Sequence, residues 1–188
     1  MRCEVINIRT VSDGEYRDIS ARQSDRLKKL ENCAEDDIKR TLAGRLLLER
    51  MIKRIYGKER FEIKYNINGK PLCDFCFFSI SHSGDFAAVA VSGKPIGVDI
   101  QIPCGFKKRE KYMLFSPAEN EFVNTENSED RFYTLWTRKE AYIKAEGGTL
   151  SDAAKISLVS GGELLEKLGE YRFETEKTNR YCLTVCYK

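Results

Sequence analysis

The sequence predicts an α+β fold of two similar subdomains, residues 1–93 and 94–188, with the active site in the cleft between them. Both halves contain short segments of alternating polar and apolar residues, typical of half-buried strands. Each half also contains one long segment with helical periodicity. The Gly93-Lys94-Pro95 break separates them. With 188 residues, 41% of them hydrophobic, the chain can bury one core or two small ones.

The first half is predicted to contain strands at 2–8 and 60–65 with a helix at 36–56 between them. In that helix one apolar stripe follows helical spacing: Ala43, Leu47, Leu48, Met51, Ile52 and Ile55. Acidic residues open the helix, where its dipole favours negative charge, and Gly57 ends it. A turn at 66–71 then leads to two strands that form a hairpin, at 77–81 and 86–91.

The second half begins with a predicted strand at 96–100. A helix follows Ser116, because Ser116 is a good N-cap, Pro117 occupies the first helical position and Glu119 completes a capping box. The main helix is expected at 128–146, capped by Ser128 and ended by Gly147-Gly148. Three further strands close the chain, at 155–159, 171–175 and 180–187.

Composition excludes several classes of protein. The 32 basic and 29 acidic residues are too balanced for bulk nucleic-acid binding, and the net charge of +3 suits a polyphosphate ligand or an acidic protein partner. No run of 18 apolar residues exists, and the N-terminus lacks the apolar segment of a signal peptide. Seven scattered cysteines are best explained as reduced thiols. We therefore expect a cytoplasmic protein.

Two segments place carboxylates where chemistry is plausible. Asp99 interrupts an apolar strand, and Gln101, two positions on, shares its face; a solvated strand end is the alternative. On the predicted main helix, Trp136, Glu140 and Lys144 are spaced by four and line one edge. Glu140 and Lys144 could equally form an ordinary surface ion pair.

Around the axis of the same helix, Lys139 projects between the predicted buried residues Leu135 and Phe132. A solvated lysine does not belong there unless it snorkels or meets an anion.

The only histidine lies in Ser81-His82-Ser83-Gly84, at a strand end before a glycine turn. It is either a structural histidine or a phosphate ligand, with Ser81 and turn amides donating as well. A cationic set could contact anions or form a solvated face: Arg22, Arg26, Lys28, Lys29, Arg40, Arg45 and Lys70. Cys73 and Cys76 resemble half a zinc site, but no second half is evident.

An ordered set of motifs resembles the 4′-phosphopantetheinyl transferase superfamily in its single-chain Sfp-type form. The motifs lie at 39–44, 69–71, 80–83, 96–100, 115–119 and 136–144. The resemblance implies a pseudo-twofold pair of α+β subdomains, each a small antiparallel sheet packed with a long helix. It also implies transfer of 4′-phosphopantetheine from coenzyme A to a serine of an apo acyl or peptidyl carrier protein, with release of 3′,5′-ADP. Such an enzyme is also called a holo-acyl-carrier-protein synthase.

The resemblance also implies roles for residues. Asp99 and Glu140 would bind Mg²⁺, with Gln101 where the family often has a third acidic ligand. Glu140 would be the base, and Lys139 and Lys144 would neutralise charge at the pyrophosphate. Glu119 would be a further catalytic residue, with its capping box as the structural alternative. Coenzyme A would be held by a set of polar residues: Lys28, Thr41, Lys70, Ser81, His82, Lys139 and Lys144.

Two alternatives to this enzyme stay open. One is a non-catalytic relative that binds coenzyme A or a carrier protein, and the other is a phosphodiesterase that uses the same carboxylates on water. Neither the carrier nor its pathway follows from the sequence, because fatty-acid, polyketide and nonribosomal-peptide carriers all fit. A cationic segment at 106–109 could contact the carrier, and two fused halves make a monomer sufficient.

Overall fold

The structure, a computed structural model, describes residues 1–23, 32–103 and 114–188. It is a mixed α+β fold of small antiparallel sheets and helices, which confirms the predicted fold class. The helices in these ranges are α1 (Asp13–Arg22), α2 (Glu35–Tyr56), α3 (Pro117–Val123) and α4 (Ser128–Glu146). The strands are β1 (Arg2–Asn7), β2 (Lys64–Tyr65), β3 (Pro71–Leu72), β4 (Phe77–Ser83), β5 (Phe86–Ser92), β6 (Ile96–Gln101), β7 (Val159–Ser160), β8 (Glu163–Leu164), β9 (Lys167–Leu168), β10 (Tyr171–Lys177) and β11 (Cys182–Tyr187).

The first sheet has the order β1-β5-β4, and α2 packs on it. Most of the predicted apolar stripe of α2 is buried there, because helical spacing puts these side chains on one face. Ile55 is the exception, since 37% of it remains exposed at the last turn. Gly57 ends the helix in the left-handed conformation, as predicted.

The second sheet has the order β6-β11-β10-β9, and α4 packs against it. The predicted cap of α4 was wrong by one residue. Ser128 is the first helical residue, while Asn127 precedes it with a positive φ of 60°. Asparagine tolerates this conformation better than most residues. Gly147 ends α4 as predicted.

The remaining differences from the predicted elements concern two short strands and one helix. The strand predicted at 60–65 is reduced to β2, and the one at 155–159 is replaced by a 3₁₀ helix at Leu150–Lys155 followed by β7. Helix α1 was not predicted, because only Ile19 of it is buried and its apolar pattern is weak. In the described part of the chain, no helix has a hydrophobic stretch long enough to span a bilayer.

A row of serine hydroxyls joins the two sheets where β4 runs beside β6. Each hydroxyl accepts the backbone N–H of a residue 19 positions later, at 3.0–3.3 Å, in three pairs: Ser79 with Val98, Ser81 with Ile100, and Ser83 with Ile102. The strands therefore run in the same direction, with alternate residues matched. We call this contact the serine seam. It places β4 and β6 side by side.

Helix α4 lies directly on β6 at Gly97. A Cβ atom at Gly97 would lie 1.9 Å from the carbonyl oxygen of Ala141 and 2.5 Å from the amide nitrogen of Ala145. Both atoms belong to the helix backbone, which cannot move aside as a flexible side chain can. The absence of a side chain at Gly97 therefore sets how closely the helix approaches the strand.

We expect Gly97→Ala to lower the free energy of unfolding by about 3 kcal/mol or more, at the upper end of overpacking effects. Gly93→Ala is the matched control, because its added Cβ meets nothing within 4 Å. Urea denaturation followed by circular dichroism compares the two. Equal stability of both variants would contradict this account of the contact between α4 and β6.

Candidate active site

Asp99 is a fully buried carboxylate at the serine seam, and three side chains satisfy it. Ser81 donates its hydroxyl proton to Oδ1 at 2.7 Å, and the Lys144 ammonium donates to the same oxygen at 2.6 Å. Gln101 Nε2 donates to Oδ2 at 3.1 Å. A buried charge is tolerated only when it is paired and hydrogen-bonded. The pairing makes this carboxylate a fixed negative charge beside the cleft.

Glu140 approaches the same place from α4. Its Oε2 lies 3.5 Å from Lys144 Nζ, which itself lies 2.6 Å from Asp99 Oδ1. The separation between Asp99 Oδ1 and Glu140 Oε2 therefore cannot exceed the sum of these two distances. The side chain of Glu140 is 21% exposed, whereas that of Asp99 is 1% exposed. Glu140 is thus the carboxylate that solvent or a ligand can reach.

The charge of Lys144 is stabilised by these neighbours. Burial alone would lower its pKa, but the carboxylates of Asp99 and Glu140 outweigh that effect and raise it above the ordinary lysine value. The ammonium therefore stays protonated at neutral pH. Within the described residues, no cluster of three His, Cys, Asp or Glu side chains has metal-site geometry. The centre instead consists of two carboxylates, one amide, one hydroxyl and one ammonium.

Two small pockets share Gly69, Pro71, Phe78 and Ile80 in their walls, and the first borders this centre at Lys144. The first, of about 230 Å³, reaches Lys144 and the end of α4 at Gly147 and Gly148. The second, of about 160 Å³, contains Thr41, Arg45 and His82. Both pockets therefore carry basic groups, Lys70 and Lys144 in the first and Arg45 and His82 in the second.

His82 belongs to the second pocket and not to the Asp99 cluster, because adjacent residues of a strand point to opposite faces. Its side chain lies in the pocket wall, and the loss of hydration there lowers its pKa. Arg40 and Lys144 lower the pKa further by repulsion. The imidazole is therefore neutral at neutral pH, and a bound phosphate would favour its protonated form.

Other predicted ligands of the coenzyme are placed differently. The Ser81 hydroxyl gives its proton to Asp99 and accepts from Lys144 and from the Ile100 amide, so it is already fully used. Lys70 lines the first pocket, but its ammonium donates to the carbonyl of Ala145 at 2.6 Å. Thr41 donates its hydroxyl to Asp37 O within α2. Lys28 and the 106–109 segment lie outside the described residues.

Lys139 and Glu119 form a buried ion pair in the core of the second half. Lys139 Nζ lies 2.5 Å from Glu119 Oε2 and 2.9 Å from the carbonyl of Ile156, and both side chains are 0% exposed. Glu119 also accepts from the amides of Ser116 and Leu158. These contacts correct the predicted role of Lys139 at the pyrophosphate, because its ammonium is enclosed by protein. Glu119 is likewise enclosed and holds α3 and residues 156–158 together.

Sequence reasoning missed the seam serines at 79 and 83. Their signal was present as a serine at every second position of 79–83, which puts three hydroxyls on one face of a strand. It also missed Asn66 and Asn68, whose side-chain amides reach the end of α4. Nothing in the local sequence around these asparagines indicates contact with a helix about 80 residues away.

Comparison with known proteins identifies the family. A family model described as the 4′-phosphopantetheinyl transferase superfamily matches residues 95–186. A 4′-phosphopantetheinyl transferase of Bacillus subtilis is 33% identical over 79% of this chain and 75% of its own length. The enzyme Sfp of Bacillus subtilis strain 168 is 31% identical over 86% of this chain and 75% of its own. AcpT of Salmonella typhimurium is 32% identical over 57% of this chain and 58% of its own.

The chain therefore belongs to the 4′-phosphopantetheinyl transferase superfamily. This confirms the family and the enzyme class that its motifs predicted.

Lys139→Met is expected to lower the free energy of unfolding by about 3–5 kcal/mol, because it leaves the Glu119 carboxylate buried without a counter-charge. Adding Glu119→Gln should restore part of that loss by removing the unpaired charge. The control is Lys177→Met, which breaks an exposed ion pair with Asp130 and should cost at most about 1 kcal/mol. Urea denaturation measures all three, and similar losses for Lys139→Met and Lys177→Met would refute the structural role of the buried pair.

Proposed function

We propose that this protein transfers the 4′-phosphopantetheine group of coenzyme A to a serine of an apo carrier protein, in a reaction that depends on Mg²⁺. One observation carries the proposal. Two carboxylates from different elements, Asp99 on β6 and Glu140 on α4, meet at one ammonium group beside a pocket. Membership of the superfamily supplies the reaction class, and the cluster supplies the residues that would perform it.

The donor set of the cluster fits a hard divalent cation. Mg²⁺ prefers oxygen ligands and is usually bound by one or two carboxylates together with phosphate oxygens and water. Glu140 would supply an accessible carboxylate, and Asp99 would supply the second only by giving up its contact with Lys144 or Gln101. Gln101 touches Asp99 through its amide and would act on the metal through that carboxylate or through water. The bound ion would neutralise charge on the diphosphate oxygens.

The phosphates of coenzyme A would lie along the two pockets. Lys144 would contact the diphosphate, since its ammonium borders the first pocket and stays protonated. His82 would contact the 3′-phosphate in the second pocket, with Thr41 nearby. Lys70 could join them only by leaving the carbonyl of Ala145. The role of Lys28 in phosphate binding stays a prediction.

In the transfer step the carrier serine oxygen forms a bond to the β-phosphorus of coenzyme A, and the bond from that phosphorus to the oxygen of 3′,5′-ADP breaks. Glu140 is the group we assign as base for the serine proton, directly or through a water molecule, because it is the accessible carboxylate. Lys144 stabilises negative charge that develops on the phosphate oxygens. Asp99, fixed by Ser81 and Gln101, keeps Lys144 in place.

The direct test is incubation with coenzyme A, Mg²⁺ and several apo carrier proteins, followed by mass spectrometry of the carriers. A mass gain of one phosphopantetheine, lost with a chelator and restored by Mg²⁺, is the expected result. Binding of coenzyme A without any mass gain would support the non-catalytic alternative. Release of phosphopantetheine without a carrier would support the phosphodiesterase.

Asp99→Asn and Glu140→Gln should each lower the transfer rate by about 100-fold or more, because each removes a charge that acts in the transition state. Glu129→Gln is the control, since Glu129 lies exposed in the first turn of the same helix as Glu140. Circular dichroism checks that each variant is folded. A folded variant at Asp99 or Glu140 with near-normal turnover would overturn the metal assignment.

His82→Ala should raise the KM for coenzyme A by about 10-fold or more, the effect of losing a hydrogen bond to a charged group. The KM for 3′-dephospho-coenzyme A should change little, because that analogue lacks the phosphate assigned to His82. Steady-state transfer assays with both substrates measure the difference. If both KM values rise equally, His82 does not contact the 3′-phosphate.

A further inference from the structure

The turn between β2 and β3 grips the carboxyl end of α4. Asn66 Nδ2 and Asn68 Nδ2 both donate to the carbonyl oxygen of Gly147, at 3.2 and 2.9 Å. Lys70 Nζ donates to the carbonyl oxygen of Ala145 at 2.6 Å. The last carbonyls of a helix have no partner within the helix, so these three donors satisfy groups that need one. We call Asn66, Asn68 and Lys70 the clasp.

Asn66 also organises the turn itself. Its side-chain oxygen accepts from the backbone amides of Asn68 at 3.0 Å and Lys70 at 2.8 Å, while its side-chain nitrogen points to Gly147. In the reversed orientation, the side-chain nitrogen would face the backbone amides of Asn68 and Lys70, and the side-chain oxygen would face the carbonyl oxygen of Gly147. The orientation of Asn66 is therefore fixed by its neighbours. One side chain shapes the turn and ties it to the helix.

The clasp rests on Gly147 at close range. A Cβ atom at Gly147 would lie 3.1 Å from Asn66 Nδ2 and 3.1 Å from Lys70 Cδ. Gly147 also has a positive φ of 76°, which L-residues rarely adopt. Glycine at this position thus ends the helix and leaves room for the turn.

The clasp also joins two walls of the first pocket. Asn68, Gly69 and Lys70 form the wall on the side of the turn, and Lys144 and Gly147 belong to the helix on the other side. The separation of these walls is fixed where the asparagine amides meet Gly147. In contrast, the serine seam and Asp99 hold Lys144 without any contact from Asn66 or Asn68.

We propose that Asn66 and Asn68 are positioning residues for the coenzyme, which set the width of the first pocket through Gly147 without touching the reacting atoms. The inference rests on the proposed function, in which coenzyme A occupies this cleft. Loss of the clasp amides lets the turn move away from α4, so the coenzyme binds more weakly. The reacting side chains stay in place, so turnover at saturation is kept.

The test compares Asn66→Ala, Asn68→Ala and Asn66→Asp with Asn179→Ala, an exposed asparagine in the turn between β10 and β11. Asn66→Asp keeps the oxygen that shapes the turn but loses the donor to Gly147, and it adds negative charge near the carboxyl end of a helix, where it is unfavourable. Three quantities are measured: the Kd of coenzyme A by calorimetry, kcat and KM in the transfer assay, and the melting temperature.

Asn68→Ala should raise the Kd and the KM for coenzyme A about 3- to 10-fold, as expected for one lost hydrogen bond. Asn66→Ala, which loses three hydrogen bonds, should raise both at least as much, and kcat of each variant should stay within about twofold of wild type. The double alanine variant should raise both by about 10-fold or more. Asn66→Asp keeps the two bonds that shape the turn but should still bind coenzyme A more weakly than wild type, because it loses the donor to Gly147 and adds an unfavourable charge. Asn179→Ala should match wild type.

A lower melting temperature with unchanged Kd and KM would overturn the inference, since the clasp would then be only structural. A loss confined to kcat would overturn it as well. If wild-type protein transfers nothing but binds coenzyme A, the proposed activity fails while the Kd values still test the clasp. If wild-type protein does not bind coenzyme A at all, the inference fails together with the proposed function.

Discussion

Side-chain hydroxyls, and not a backbone ladder, join the two larger sheets of this protein. The seam matches the hydroxyls of β4 with the amides of β6 and of Ile102 just beyond it. Ser81 takes part in the seam and also donates to Asp99, so one hydroxyl links the contact between the sheets to the position of the buried carboxylate. Gly97 then allows α4 to approach β6 closely enough for Lys144 to reach Asp99. The candidate active site therefore depends on how the sheets are joined.

Two lysines on α4 show how position decides the use of a charge. Lys139 points into the core, where Glu119 and a carbonyl enclose it, and burial lowers its pKa despite that carboxylate. Lys144 lies at the cleft, where two carboxylates raise its pKa and 29% of its side chain stays exposed. The first charge fastens α3 to α4. The second is available to an anion. The two lysines are five residues apart on one helix and therefore point in different directions from its axis. This difference in direction gives Lys139 a structural role and leaves Lys144 for chemistry.

The sequence predicted the long elements and the family well, because helical spacing in α2 and α4 and the ordered motifs are strong signals. It predicted less where tertiary contacts decide. The motif that contains Lys139 does not indicate where its ammonium points. Its buried ion pair with Glu119 is therefore visible only in the folded structure. The capping box around Ser116 was readable, yet the left-handed Asn127 was not, because local propensity favoured the neighbouring serine as a cap. Strands β2 and β7 have only two residues each, so the local patterns at 60–65 and 155–159 could not fix their bounds.

The serine seam has a consequence for the behaviour of the protein in concentrated solution. The exposed edge of a sheet offers unpaired amides and carbonyls to any other extended chain, and such edges promote aggregation. The two larger sheets have four edges in the described residues, at β1, β4, β6 and β9. Because β4 and β6 cover each other, the edges at these two strands are not available for pairing with another chain. Strand β9 has only two residues and is too short to pair extensively. The arrangement that builds the cleft thus also limits unwanted self-association.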